Sequence, residues 1–130
     1  MLYPKVAIDP TLPVIELPSG NIGLLPLALG EGQVISISLK QIITNPQNLP
    51  QDRSLRAWIS EQPGGRSLTE ATTISAINLT ALNSTVIKLV AFHQETSEGG
   101  HIVAALPGQY WLNVLNLVNE ANSFAIVIEQ

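Results

Sequence analysis

The amino-acid sequence predicts an all-β fold: an antiparallel β-sandwich or jelly-roll-like single domain with an extended, proline-rich N-terminal arm. Three observations predict it. Short segments of alternating apolar and polar residues recur at intervals of about 10 to 20 residues. Turn residues, mainly Gly, Pro and Asn, separate these segments. No segment shows the apolar periodicity of an amphipathic helix, and 130 residues suffice for one domain with its own core.

The N-terminal arm, residues 1–30, differs from the rest of the chain. It holds five of the nine prolines, with short apolar pieces between them. Proline breaks strand ladders and helices, but the apolar pieces are unsuited to water. We therefore expect an arm that lies on its own domain as edge strands, or on a neighbouring subunit. Deletion of residues 1–22 is then expected to impair assembly more than folding, because residues 31–130 form the predicted sandwich domain.

The first regular strand is predicted in the segment GEGQVISISLKQI, at 30–42. Ile35, Ile37 and Leu39 alternate with polar residues, so one face of this strand is expected to be buried. Asn-Pro and Leu-Pro steps predict a loop over 44–52.

A second strand is predicted in the segment RSLRAWIS, which also alternates. One face holds Leu55, Ala57 and Ile59, and the other holds Arg56 and Trp58. The segment EQPGGRS that follows is a turn, and residues 73–82 fit a strand or an irregular segment.

Four further strands are predicted in the second half, at 84–93, 101–106, 109–116 and 123–129. The last two are expected to pair as a terminal β-hairpin around the loop 117–122. Their apolar faces should form one patch against the other sheet. This patch consists of Tyr110, Leu112, Val114, Phe124, Ile126 and Ile128.

The composition is unusually poor in charge. Charged residues make up 12% of the chain and hydrophobic residues 45%, whereas ordinary domains carry about 25% charged residues. Neutral surface on a small domain often marks contacts, so we expect a homo-oligomer, with a trimer slightly favoured, or attachment to a larger protein lattice. A monomer coated with Ser, Thr, Asn and Gln is the alternative. The six Lys and Arg residues are scattered, which argues against nucleic-acid binding.

Neither a signal peptide nor a membrane span is expected. The segment MLYPKVAIDP has no apolar core of the kind that signal peptides need, and the apolar stretch 22–30 is too short to cross a bilayer. The chain is therefore expected in the cytoplasm, or in a virion if it is phage-encoded. The absence of Cys excludes disulfides and thiolate chemistry.

Four pieces of the sequence resemble the bacterial pre-peptidase C-terminal domains and related β-sandwich modules. They are LGEGQVISISL, LRAWISEQPGG, LPGQYWLNVLN and SFAIVIE. We assign the resemblance to about half of the chain, mainly its second half. The resemblance implies a non-catalytic module that assists secretion, adhesion or polymer binding. The acidic run of that family is replaced here by DRSLRAWIS with a lone Asp52, which argues against a calcium site.

No constellation in the sequence points to catalysis, a cofactor or a metal. His93 and His101 flank a predicted turn that carries Glu95 and Glu98, but a third firm ligand is missing. The sequence has no Gly-x-Ser-x-Gly elbow, and the glutamates are scattered in turns. We expect no enzyme activity, no bound cofactor and no metal.

The aromatic residues give the one candidate interaction site. Trp58 and Trp111 lie on the strand phases opposite the predicted core, with Arg56 beside the first and Asn113 beside the second. Outward-facing indoles often contact sugar rings or subunits. Inverted faces, or rings covered by the N-terminal arm, are the alternatives.

Two functions remain compatible with these observations. The first is a non-enzymatic structural protein in an assembly, with a phage capsid decoration or tail-associated protein as the best candidate. The second is a monomeric carbohydrate- or polymer-binding module of a secreted protein.

Overall fold

The computed structural model describes residues 3–42, 54–74, 85–91 and 101–130, with the backbone alone at residue 101. Within these ranges the chain forms two five-stranded sheets, with no helix. Sheet A has the order β1-β3-β9-β5-β6, and sheet B the order β2-β10-β4-β7-β8. The strands are β1 (Lys5–Ala7), β2 (Ile15–Leu17), β3 (Ile22–Leu29), β4 (Val34–Ile42), β5 (Leu55–Ser60), β6 (Thr72–Ile74), β7 (Thr85–Ala91), β8 (His101–Ala105), β9 (Gly108–Leu115) and β10 (Asn122–Glu129).

The β-sandwich prediction is confirmed, although both sheets are mixed rather than purely antiparallel. The β1–β3 and β7–β8 pairs are parallel, and the other pairs are antiparallel. Alternation sets the core as the sequence predicts. Ile35, Ile37 and Leu39 of β4 are fully buried against the apolar faces of the facing sheet, because successive side chains of a strand point to opposite sides.

The prediction that the last two strands pair with each other as a hairpin is wrong. β9 pairs with β3 and β5 in sheet A, whereas β10 pairs with β2 and β4 in sheet B. The connection between them is therefore an arch from one sheet to the other. The predicted apolar faces nevertheless line the core: five of the six residues are buried, and Ile128 packs against them half-buried.

Asn116 holds the arch in which the chain crosses between the sheets. Its buried side-chain amide donates to the carbonyls of Leu17 (3.0 Å) and Glu120 (2.9 Å), and its side-chain oxygen accepts the Val118 N–H (3.0 Å). These bonds satisfy the backbone of the arch and tie it to β2. A two-residue turn would instead have returned the chain along β9, whose two edges are both occupied.

The proline-rich residues 1–30 contribute three strands. β1 lies at the edge of sheet A and β2 at the edge of sheet B, while β3 lies between β1 and β9. Ile8, Ile15 and Leu17 belong to the core. The described part of residues 1–30 thus runs extended and lies on its own domain.

Part of the predicted organisation falls outside the described residues. This applies to the predicted loop 44–52, to most of the segment 73–82, and to His93 with its neighbouring glutamates. In the described ranges, no helix has the length and apolar character that crossing a membrane would require.

Candidate functional site

The four residues predicted as an interaction site all lie on the outer face of sheet A. In the ladder between β5 and β9, Trp58 is opposite Asn113, and Ser60 is opposite Trp111. Both tryptophans are half-buried, and Arg56 is exposed. Asn113, in contrast, is 0% exposed. The four residues therefore share a face, but they differ in what they present to solvent.

Asn113 is buried because the turn after β5 folds back over the sheet. Its side-chain oxygen accepts the Gly64 N–H (2.8 Å), and its amide donates to the Ser60 hydroxyl (2.8 Å). The same amide lies 3.2 Å from the carbonyl oxygens of Trp58 and Trp111. A buried amide with all its polar atoms bonded fixes local structure, so Asn113 anchors the turn to the sheet.

Trp58 lies in β5 and is bonded to the same turn. Its indole N–H donates to the Gly65 carbonyl (2.9 Å), and the Ser60 hydroxyl donates to the Gln62 carbonyl (2.5 Å). Gly64 has φ +70°, and a Cβ there would lie 2.8 Å from Cε of Lys5. The turn thus requires glycine for its backbone conformation and has Lys5 packed closely against it.

Trp111 is the indole left beside an open part of this face. Its neighbour in β3 is Pro26, which is exposed, and its neighbour in β5 is the buried Ser60. Arg56 lies four ladder positions from Trp111, opposite Leu115, and lines a shallow groove of about 370 Å³ with Ser54 and Leu117. The predicted residues therefore do not form one surface.

Tyr110 is a buried residue of β9, next to Trp111. The Tyr110 hydroxyl donates to the Leu106 carbonyl. Burial, with a smaller contribution from the Glu61 carboxylate, raises the pKa of this phenol above its ordinary value. A neutral hydroxyl that donates to a backbone carbonyl stabilises the entry to β9.

Sequence reasoning missed a second feature, at the side of the sandwich where β1 and β2 lie. β1 pairs with β3 only at Ile22–Leu24, and β2 pairs with β10 only at Asn122–Phe124. Beyond those short ladders, one edge of each longer strand has no strand partner among the described residues. We call this region, residues 25–29 of β3 and 125–129 of β10, the open edge.

Proline protects the β3 half of the open edge. The Ile22 N–H donates to the Pro4 carbonyl (2.9 Å), and the Leu24 carbonyl accepts from the Ile8 N–H (2.8 Å). The even-numbered residues of β3 therefore point their backbone groups toward β1. Pro26 is the next residue in that series, and it has no N–H to give. The β1–β3 ladder ends there, and a further strand would lack a donor.

The β10 half of the open edge has no such protection. Residues 125–129 pair with β4 on one side, and they contain neither proline nor lysine. Val127 is 56% exposed on the outer face of sheet B, whereas Ile126 is buried on the inner face. The first four residues of the stretch are apolar and Glu129 at its end is the charged one, and a largely apolar edge of this kind is a template for strand addition.

A shallow apolar groove lies between the two halves of the open edge. It has a volume of about 560 Å³, and both sheets contribute to it. Its lining consists of Pro10, Leu25, Pro26, Leu27, Ile126, Val127, Ile128 and Gln130. Apart from Gln130 these side chains are apolar, so the groove is suited to apolar side chains that enter from the edge.

The loop 9–14 borders the groove and adds exposed apolar residues. The Thr11 hydroxyl (2.6 Å) and N–H (3.0 Å) both donate to the Asp9 carboxylate, and these bonds lower the pKa of Asp9. Leu12 and Val14 remain exposed. In the described structure, no backbone hydrogen bond joins this loop to residues 125–129.

Within the described ranges, no three side chains among His, Asp and Glu lie close enough together to hold a metal ion. The predicted histidine pair lies outside the described side chains.

No family model and no curated protein matches this sequence. Three chains among the solved structures match the fold. One is the pre-peptidase C-terminal domain of a collagenase from Bacillus anthracis, with 10% identity, a TM-score of 0.38, and coverage of 97% of this chain and 93% of that one. This likeness extends over nearly the whole chain, whereas the sequence resemblance concerned about half.

Another is CorA, a surface-associated copper-binding protein important in copper acquisition in Methylomicrobium album BG8. It has 8% identity, a TM-score of 0.40, and coverage of 98% of both chains. Both likenesses concern the β-sandwich alone and leave the function of this chain open.

Proposed function

We propose that the chain is a non-enzymatic interaction module that works inside a larger protein assembly and makes its contact at the open edge. The observation that carries the proposal is that, among the described residues, the stretch 125–129 of β10 pairs with β4 alone and lies beside the apolar groove. Strand addition to such an edge gives affinity through main-chain hydrogen bonds and specificity through alternate side chains.

The energetics of the open edge favour a protein partner. Backbone groups of 125–129 that have no strand partner among the described residues would bond to water until a strand replaced it, so hydrogen bonding alone would contribute little net free energy. The remaining binding free energy would come from burial of apolar surface in the groove and at the exposed side chains of Leu12, Val14 and Val127. Covering the exposed part of one valine contributes about 1 kcal/mol. The low charge of the chain, 12%, fits a surface that is covered in its working state.

A virion is the specific assembly that we favour. A phage capsid decoration or tail-associated protein works through contacts with neighbouring proteins, and the open edge would supply such a contact. Mass spectrometry of purified particles would test this assignment directly, since the chain should be present in a fixed ratio to the major structural protein. Particles that lack it would exclude a virion role.

The assembly proposal is tested by a charge on the open edge. Val127→Lys places an ammonium group at the centre of the unpaired stretch, the device by which natural edge strands resist pairing. Leu117→Lys is the matched control, because Leu117 is similarly exposed, at 54%, and lies in the arch away from this edge. We expect Val127→Lys to lose co-sedimentation with large assemblies and Leu117→Lys to keep it. Equal behaviour of the two variants would contradict the proposal.

Carbohydrate or polymer binding is the second candidate, and the half-buried Trp111 beside the exposed Pro26 favours it. An indole face on a flat sheet is suited to stacking against a sugar ring. Pull-down on insoluble polysaccharides, with Trp111→Ala as the comparison, decides this candidate. Binding that survives Trp111→Ala would remove the indole from consideration.

A further inference from the structure

We propose that the partner at the open edge is a second copy of the chain, with β10 of one copy paired antiparallel to β10 of the other around Val127. The inference rests on the proposed function and names its partner. The pairing would join the two B sheets into one continuous sheet across a two-fold axis.

The free part of β10 fixes the register of this pairing. Phe124 is already opposite Ile15 of β2, so the new ladder begins at Ala125 and runs to Glu129. Residues directly opposite each other in a ladder have their side chains on the same face of the sheet. A two-fold axis perpendicular to the sheet must therefore place one residue directly opposite its own copy. It cannot lie midway between two successive residues of the strand. The register centred on Val127 is the one that uses all five free residues.

In this register the strand is complementary to itself. On the outer face, the exposed Val127 is opposite Val127 of the second copy, and Ala125 is opposite Glu129. On the inner face, Ile126 is opposite Ile128, above the groove that Leu25 helps to line. No like charges are opposed, and apolar or β-branched pairs are the ones that stabilise a ladder.

Pro26 directs the second copy to sheet B. The free edge of β3 lacks the N–H of residue 26, so it cannot continue a ladder on its own side of the groove. A pairing that uses the same strand of both copies is isologous, and it closes at two copies. The proposal therefore gives a dimer in place of the trimer that composition slightly favoured.

Cysteine cross-linking tests this register without background, because the chain contains no Cys. In the proposed dimer the two Cα atoms of residue 127 lie about 4.5 to 5.5 Å apart, within reach of a disulfide. The two Cα atoms of residue 125 lie about 13 to 14 Å apart, beyond that reach. We expect mild oxidation to convert most of Val127→Cys to a disulfide-linked dimer. Ala125→Cys and Glu129→Cys should each form no intermolecular disulfide alone and should cross-link when the two variants are mixed.

Leu117→Cys is the control for random collision, since its side chain is as exposed as that of Val127 but lies outside the proposed ladder. The inference is overturned if Val127→Cys cross-links no faster than Leu117→Cys, or if Ala125→Cys links to itself. Sedimentation of the unmodified chain should also show the 13.9 kDa species giving way to twice that mass as concentration rises.

The two proposals fail in distinguishable ways. If Val127→Lys abolishes assembly but Val127→Cys does not link to itself, the open edge binds a different chain and the second-copy inference is wrong. If neither substitution has an effect, the open edge is not a contact and both proposals are wrong.

Discussion

Replacing Asn113 by alanine tests how the outer face of sheet A is built. The side chain is fully buried, and its removal leaves the Gly64 N–H without its acceptor and the Ser60 hydroxyl without its donor. An unsatisfied buried polar group costs roughly 1–3 kcal/mol. Because the turn can move toward water and recover part of this loss, we expect a destabilisation of about 2–3 kcal/mol. Asn113→Asp should do no better at neutral pH, because it keeps the acceptor but loses both donors and buries a charge.

The assay is urea unfolding, followed by the fluorescence of Trp58 in a Trp111→Phe background. Trp58 donates to the Gly65 carbonyl of the same turn, so its emission should move to longer wavelength when the turn detaches. Asn119→Ala is the control, because Asn119 is an exposed asparagine of the arch. A loss below about 0.5 kcal/mol for Asn113→Ala, equal to that of an ordinary surface substitution, would refute the anchoring role.

Three further predictions follow from the same structure. Leu112→Ala should cost about 2–5 kcal/mol in thermal or urea unfolding, since Leu112 is 0% exposed, whereas Trp111→Ala should cost clearly less. Deletion of residues 1–22 should leave a chain without cooperative unfolding by calorimetry, because it removes three core residues; a folded truncation would contradict this. Stability should fall as pH rises above about 10, because folding raises the pKa of Tyr110 and the unfolded phenol ionises first. In urea titrations at pH 9 and 11, the free energy of unfolding of Tyr110→Phe should fall less between the two pH values than that of the unmodified chain.

Alternation explains why most of the fold was predictable from the sequence. The pattern around Ile35, Ile37 and Leu39 can be satisfied only by a strand with one buried face, and the structure buries all three. Pairing partners were harder to predict. The two C-terminal strands are close in sequence, but they lie in opposite sheets, and the side-chain bonds of Asn116 stabilise the arch between them.

The candidate site shows the limit of alternation more clearly. Asn113 occupies an outward phase, and phase alone gives no sign that the turn around Gly64 covers it. The open edge depends on where two short strands stop, which is a property of the folded chain. One sequence signal could have indicated it: Pro26 in the middle of an apolar strand is typical of an edge.

The expected effect of deleting residues 1–22 changes from impaired assembly to loss of the fold, again because the sequence does not show how the strands pair. Prolines in residues 1–30 indicated an arm with little pairing capacity, and three of them do lie between strands. β3 nevertheless pairs with β9 along its whole length, because only the backbone groups facing β1 are affected by Pro26. A strand can hold a proline and still form one complete ladder.

Hydrogen exchange of the backbone amides of residues 125–129 measures the central claim most directly. We expect those amides of this stretch that point away from β4 to exchange quickly in dilute protein and to become protected as the chain dimerises or enters its assembly. The amides of residues 111–115 in β9, a stretch that has a paired strand on both sides, should be unchanged. Protection that appears on the outer face of sheet A, with 125–129 still exchanging quickly in the assembled state, would contradict the account.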